Sequence, residues 1–300
     1  MAEPRSTSPT ALLDREEYVE QAYWFRVLSE RLPDNVPLQD VLAQVKSEVL
    51  ATTKLPIALD FLLAELKHSG AMAPAMERLK HYFAPFQTYV MREAESERGR
   101  FDMRVAIEVL KQEALLRADR VPPQTLFMFQ FECLCRNRLR YDHGLTTLAE
   151  DPVYSEDWRE WILVVRRQIG IADLAELIYA RSQQYVRDRK QLGDADYAPE
   201  KPILFGEKEG KIAFANRRRD PLYFFAALQR HLGYPAVPRN PRVDPNKEIL
   251  PQLVRRLERL ELKLKLIDEE QRGGIDITKF YGTPDHPKLP AVPPPDDLLS

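Results

Sequence analysis

The chain has 300 residues, of which 44% are apolar and 30% charged; 44 lysines and arginines balance 46 aspartates and glutamates, a formal net charge of -2. That balance excludes a whole-molecule field steering the protein to nucleic acid or anionic lipid, so any such binding has to be local. Two cysteines give no disulfide framework, residues 1–15 hold no apolar leader, and no apolar run reaches the ~20 residues of a membrane span, so the expectation is a soluble cytoplasmic protein.

Eleven glycines and long Leu/Ala/Glu/Arg stretches predict an all-α fold, a multi-helix bundle over residues 11–192 behind a flexible segment 1–10. The first helix is expected to open at Asp14, with Glu17 completing a capping box, and to present Tyr18, Ala22, Phe25 and Leu28 on one face before Pro33 ends it. A second covers residues 37–50, with Val41, Leu42, Val45 and Val49 inward. A third starts at Pro56, carries Leu59, Leu62, Leu63 and Leu66, and stops at Gly70.

Residues 74–98 read as helical, but Pro85 removes a backbone donor and must restart the helix. Glu93, Glu95 and Glu97 at its end read as a solvated charge run. Helices over 101–117 and 123–140 follow; Phe127, Phe129, Phe131 and Leu134 make the latter apolar on several sides and therefore central. It carries Cys133 and Cys135, which two-residue spacing points apart, so they neither bridge nor chelate together. A short helix near Leu145 and others over 155–170 and 173–190 complete the body.

Residues 193–245 read as a linker with a small helix-bearing module. Ile203-Leu204-Phe205 and Ile212-Ala213-Phe214 flank a charged, glycine-bounded stretch and suggest a small β-hairpin near 203–215. Asp220-Pro221 and Gly233 bracket a helix over 221–232. Arg217, Arg218 and Arg219 precede its N-terminus, where free backbone donors favour an anion; they are the candidate anion-binding residues, against the plainer reading in which Asp220 caps the helix and the arginines are solvated.

The last helical segment, within residues 246–274, carries Leu253, Leu257, Leu260, Leu264 and Ile267 at spacings of four and three. An apolar stripe repeating every 3.5 residues needs a helical partner, in cis or in trans. These five are the candidate partner-binding residues. Arg255, Arg256, Arg259 and Lys263 form a basic row along it that calls for something acidic, whether the protein's own body, another chain or nucleic-acid phosphate, in that order. The proline-rich tail 275–300 is too poor in apolar residues to fold.

Catalytic motifs are missing. Glu65 and His68 share a helix face, but the second Glu-x-x-His that a di-metal centre needs is not in the sequence, so neither metal nor cofactor is expected. The loop at Gly206 lacks the Ser or Thr of a phosphate-binding loop. The expectation is a non-catalytic interaction or scaffolding protein that binds a protein partner or itself through the C-terminal helix. The alternatives are a helical-bundle enzyme with a pocket among the aromatic helices, or local anion or nucleic-acid binding at Arg217–Arg219.

Overall fold

The computed structural model describes residues 12–32, 37–96, 101–193 and 196–239, together with Leu260 and Leu264. The chain divides into two compact units, Met1–Asn240 and Pro241–Ser300. Helix makes up 70% of the structure and no sheet forms among the described residues, so the fold is all-α.

The first unit opens with α1 (Arg15–Arg31), α2 (Leu38–Glu48) and α3 (Leu55–Ser69). α3 begins and ends as its sequence dictates, with proline in the first turn and Gly70 in the left-handed region at φ 74°. α1 does not use the expected capping box: the Asp14 side chain makes no cap bond. Glu17 faces inward and its carboxylate accepts the Lys54 N–H at 2.9 and 3.1 Å, satisfying a donor at the start of α3. The burial of α1 puts Glu17 to use in the tertiary structure rather than in its own first turn.

Pro85 does restart the chain, separating α4 (Ala73–Arg78) from α5 (Pro85–Glu95). The charge run at the end of α5 is not simply solvated. Glu93 is buried against Arg140, whose Nε donates to it at 2.9 Å. Glu95 accepts the N–H groups of Met72 and Ala73 at 2.6 and 2.8 Å and so caps α4, whose own N-cap residue, Met72, has no polar side chain. Glu97 lies outside the described residues.

Next come α6 (Met103–Ala118), which packs along α1, and α7 (Pro123–Arg136). Every residue of α7 from Thr125 to Leu134 is buried, as the all-round apolar pattern predicts for a central helix. Phe127 stacks on Phe131 at 5.7 Å and meets the Trp161 ring edge-on at 5.0 Å. α8 (Tyr141–Ala149) and α9 (Glu156–Gln168) lie against one another and complete this part of the core.

The helix expected over 173–190 is two, α10 (Leu174–Ala180) and α11 (Gln183–Gln191). Ser182 breaks it: its Oγ accepts the Tyr185 N–H at 3.3 Å to cap α11, and the Gln183 N–H turns away to the Phe205 carbonyl at 3.0 Å. The expected hairpin near 203–215 is corrected by the same contact. Its first arm is extended, in an isolated bridge between Ser182 and Phe205, but its second is α12 (Glu207–Asn216). Glu207 and Glu209 suit the first turn of a helix, and Glu207 pairs with Lys211 one turn on at 2.5 Å. Gly210 allows close packing there, because a Cβ on it would lie 2.3 Å from the Ser182 Oγ.

The helix α13 (Pro221–Leu232) is capped as its sequence predicts, Asp220 accepting the Leu222 N–H at 2.9 Å and Gly233 ending it at φ 73°. Of the segment 193–245 read as a linker with a small module, the described residues 196–239 pack into the body, and residues 240–245 lie outside the described residues. Phe205, Ala213, Phe224, Phe225, Leu228, Tyr234 and Val237 belong to the same apolar core as α1–α9, and the Tyr234 hydroxyl donates to Glu132 on α7 at 2.7 Å. The boundary falls at residue 240 instead.

Candidate functional site

Of the five seam residues, Leu253, Leu257 and Ile267 lie outside the described residues, as does the Arg255, Arg256, Arg259 and Lys263 row. Leu260 and Leu264 are described. Both are helical, four positions apart, and they are 53% and 65% exposed.

The arginine cluster is arranged by its neighbours. Arg217 places its guanidinium 3.8 Å from the centre of the Phe214 ring and 5.1 Å from that of Tyr179, and its Nε donates to the Phe214 carbonyl at 3.3 Å. Arg218 sits in the left-handed region at φ 58°, where its N–H donates to the Asp173 carboxylate at 2.9 Å. Since Asp173 also accepts the Ala175 N–H, one carboxylate caps α10 and anchors the turn before α13. The helix-end donor that an anion would use at Leu222 is taken by Asp220. The geometry here is a structural turn with Arg217 laid over aromatic rings.

The sequence did not point to a cavity and a buried polar network that lie within the body. A cavity of about 430 Å³ opens between α5 and α8 and is lined by Tyr18, His81, Tyr89, Arg92, Arg117 and His143 among others. On its wall Arg92 donates toward the His143 Nε2 at 3.3 Å and pairs with Glu77 at 2.8 Å. Behind its floor, Arg117 Nε donates to Glu113 at 2.6 Å, Nη1 donates to Asp151 at 3.3 Å, and Nη2 closes the second bond of that pair. Glu113 also accepts from Gln87 at 2.9 Å and from Gln130 at 3.1 Å, while the Tyr154 hydroxyl donates to Gln130 at 2.7 Å.

These groups are deeply buried, the Glu113 and Arg117 side chains being 0% and 3% exposed. Burial pushes the Glu113 carboxyl above the usual carboxylate range, opposed by the Arg117 charge and aided by that of Asp151. Burial works against the Arg117 cation, but the Asp151 and Glu113 charges outweigh it and hold the guanidinium protonated. With each carboxylate engaged by donors from separate elements, the network joins α5, α6, α7 and the turn after α8. Its chemistry is that of a clamp.

Elsewhere the reactive side chains are quiet. Burial pushes the Cys133 thiol up, and it raises that of Cys135 to about 12, so both stay protonated at neutral pH. Glu65 pairs with Arg78 at 3.0 Å, and no group of three or more metal-ligating side chains is found among the described residues. Nor is any described helix long and apolar enough to cross a membrane.

Family models, curated proteins and solved structures all lack a match to this chain.

Proposed function

We propose that this protein is a non-catalytic interaction protein, with residues 12–239 as a helical body and the amphipathic C-terminal helix as the part that binds. The observation that carries this is the state of Leu260 and Leu264: two leucines of one helical seam, both more than half exposed. Adjacent exposed leucines on a helix surface are the signature of a face that a partner covers. The neatly repeating seam, flanked by charge, fits a helical partner better than a small molecule.

The saturated network around Arg117 supports the same reading from the other side. A catalytic acid or base has to be free to exchange a proton with substrate, whereas Glu113 and Asp151 are occupied in holding elements together.

Affinity capture tests the proposal by comparing the intact chain with one lacking residues 246–300. The expected result is loss of co-purifying protein, or of self-association, with the melting temperature of the remaining body unchanged. Retention of every partner after the deletion sinks the reading.

A further inference from the structure

The cavity between α5 and α8 has a fixed aromatic wall and more hydrogen-bond donors than acceptors. Tyr18, Phe83 and Tyr89 line it and are each less than a tenth exposed. All three are held from behind. The Tyr89 hydroxyl donates to the Arg140 carbonyl at 3.0 Å, the Phe83 ring lies 5.9 Å from that of Trp24, and the Arg117 guanidinium lies 5.9 Å from the centre of the Tyr18 ring. A flat apolar group entering this space meets surface already in place, which keeps the ordering cost of binding low.

The clamp saturates its carboxylates but not Arg117. A guanidinium carries five N–H donors; the clamp takes one on each nitrogen of Arg117, Nε to Glu113 and both Nη to Asp151. One N–H on each Nη is left with no acceptor among the described residues, on a buried side chain that lines the cavity. Lys80 also lines it and makes no ion pair or hydrogen bond among the described residues. Arg92 turns Nη1 to His143 and Nη2 to Glu77, which leaves its Nε over. The acceptors are already spent in comparison. Glu77 is held by Arg92, Glu113 and Asp151 by Arg117, and the exposed Glu150 is the wall carboxylate without a partner among the described residues.

We infer that this cavity binds a small aromatic acid, its ring against Tyr18, Phe83 and Tyr89 and its carboxylate on the spare donors of Arg117, with Arg92 and Lys80 supplying positive charge around it. The volume of about 430 Å³ suits an acid of one or two rings. A carboxylate satisfies several donors through charge-assisted bonds, whereas an uncharged ring of the same shape leaves them weakly paired. A phosphate monoester brings about -1.5 to -2 charge, which Asp151 and Glu150 oppose. This site is independent of the interaction reading.

Isothermal titration of the full chain tests it with benzoate, cinnamate and indole-3-acetate as probes, each beside its uncharged amide. At least one acid is expected to bind with a Kd of about 1 mM or tighter, and its amide roughly tenfold more weakly. Lys80→Gln with Arg92→Gln, both on the cavity's more exposed side chains, is expected to weaken the acid about tenfold and leave the amide unchanged. Thr147→Phe, which fills the space from α8, is expected to abolish binding of both, with melting curves confirming that each variant is folded. The inference is overturned if none of the acids binds below about 10 mM, if an amide binds as tightly as its acid, or if the charge variant binds the acid as wild type does. Phenyl phosphate binding more tightly than benzoate overturns the choice of a carboxylate, and a folded Thr147→Phe chain that still binds places the ligand elsewhere and overturns the site.

Discussion

Arg117 and Asp151, thirty-four positions apart, are joined by two hydrogen bonds inside the body, tying the last turn of α6 to the turn after α8. Glu113, one helical turn before Arg117, holds the same guanidinium from the other side at 2.6 Å. Two carboxylates therefore depend on one cation. Arg117→Met leaves both buried without it, and the expected cost is about 3–5 kcal/mol of stability. Urea denaturation measures this directly; a loss under about 1 kcal/mol shows that the clamp contributes little net stability.

The same cluster predicts a pH dependence. Because burial raises the folded-state pKa of Glu113 above its unfolded value, the folded protein holds this proton more tightly than the unfolded chain. Its contribution is fully present below the unfolded pKa and is lost as pH rises through the folded one. Glu113→Gln has no such proton to lose, though its amide nitrogen faces the Gln87 donor and costs about 1–2 kcal/mol. The stability gap between wild type and Glu113→Gln is expected to narrow as pH rises from the ordinary carboxylate range through neutral. Denaturation midpoints at pH 5 and pH 8 check it, and a gap that widens contradicts the assigned shift.

Residues that punctuate the backbone made much of this fold legible in the sequence. Pro56 and Gly70 bound α3, and Pro221 and Gly233 bound α13, because proline and glycine act through local geometry that no tertiary contact needs to supply. The stretch from Gly206 to Phe214 was ambiguous: glycine bounds a hairpin loop and also opens a helix. Burial of Ala213 and the Glu207–Lys211 pair decided for the helix.

The polar clamp was illegible for a different reason. Gln87, Glu113, Gln130 and Asp151 come from four separate parts of the chain, and only the four-residue spacing of Glu113 and Arg117 hinted at any of it. The seam is the opposite case. Its pattern is plain in the sequence, but a repeat of this kind does not say whether the apolar stripe is met in cis or in trans.

Glu95 offers a sharper local test, since its carboxylate takes two backbone donors at the start of a helix only six residues long. Glu95→Ala orphans both donors and is expected to cost about 1–2 kcal/mol, with Glu95→Gln intermediate because it keeps one acceptor. Hydrogen exchange should quicken across residues 72–78 before it does in α7. Uniform quickening throughout the body means that the cap acts globally rather than on α4.

The seam carries the last prediction. Full burial of a leucine side chain is worth about 1.5–3 kcal/mol, so Leu257 and Leu260 together bind a partner firmly only if that partner takes both out of water. Leu257→Asp with Leu260→Asp replaces this gain with two charges that a covered seam would have to desolvate. For an interaction helix, association should disappear while the body, whose core is built within residues 12–239, keeps its melting temperature within about 2 °C, a shift of about 1 kcal/mol or less. For a helix that packs on its own body, the melting temperature falls instead and no partner is lost. Calorimetry and sedimentation on the same sample separate the two, and the interaction reading expects the first.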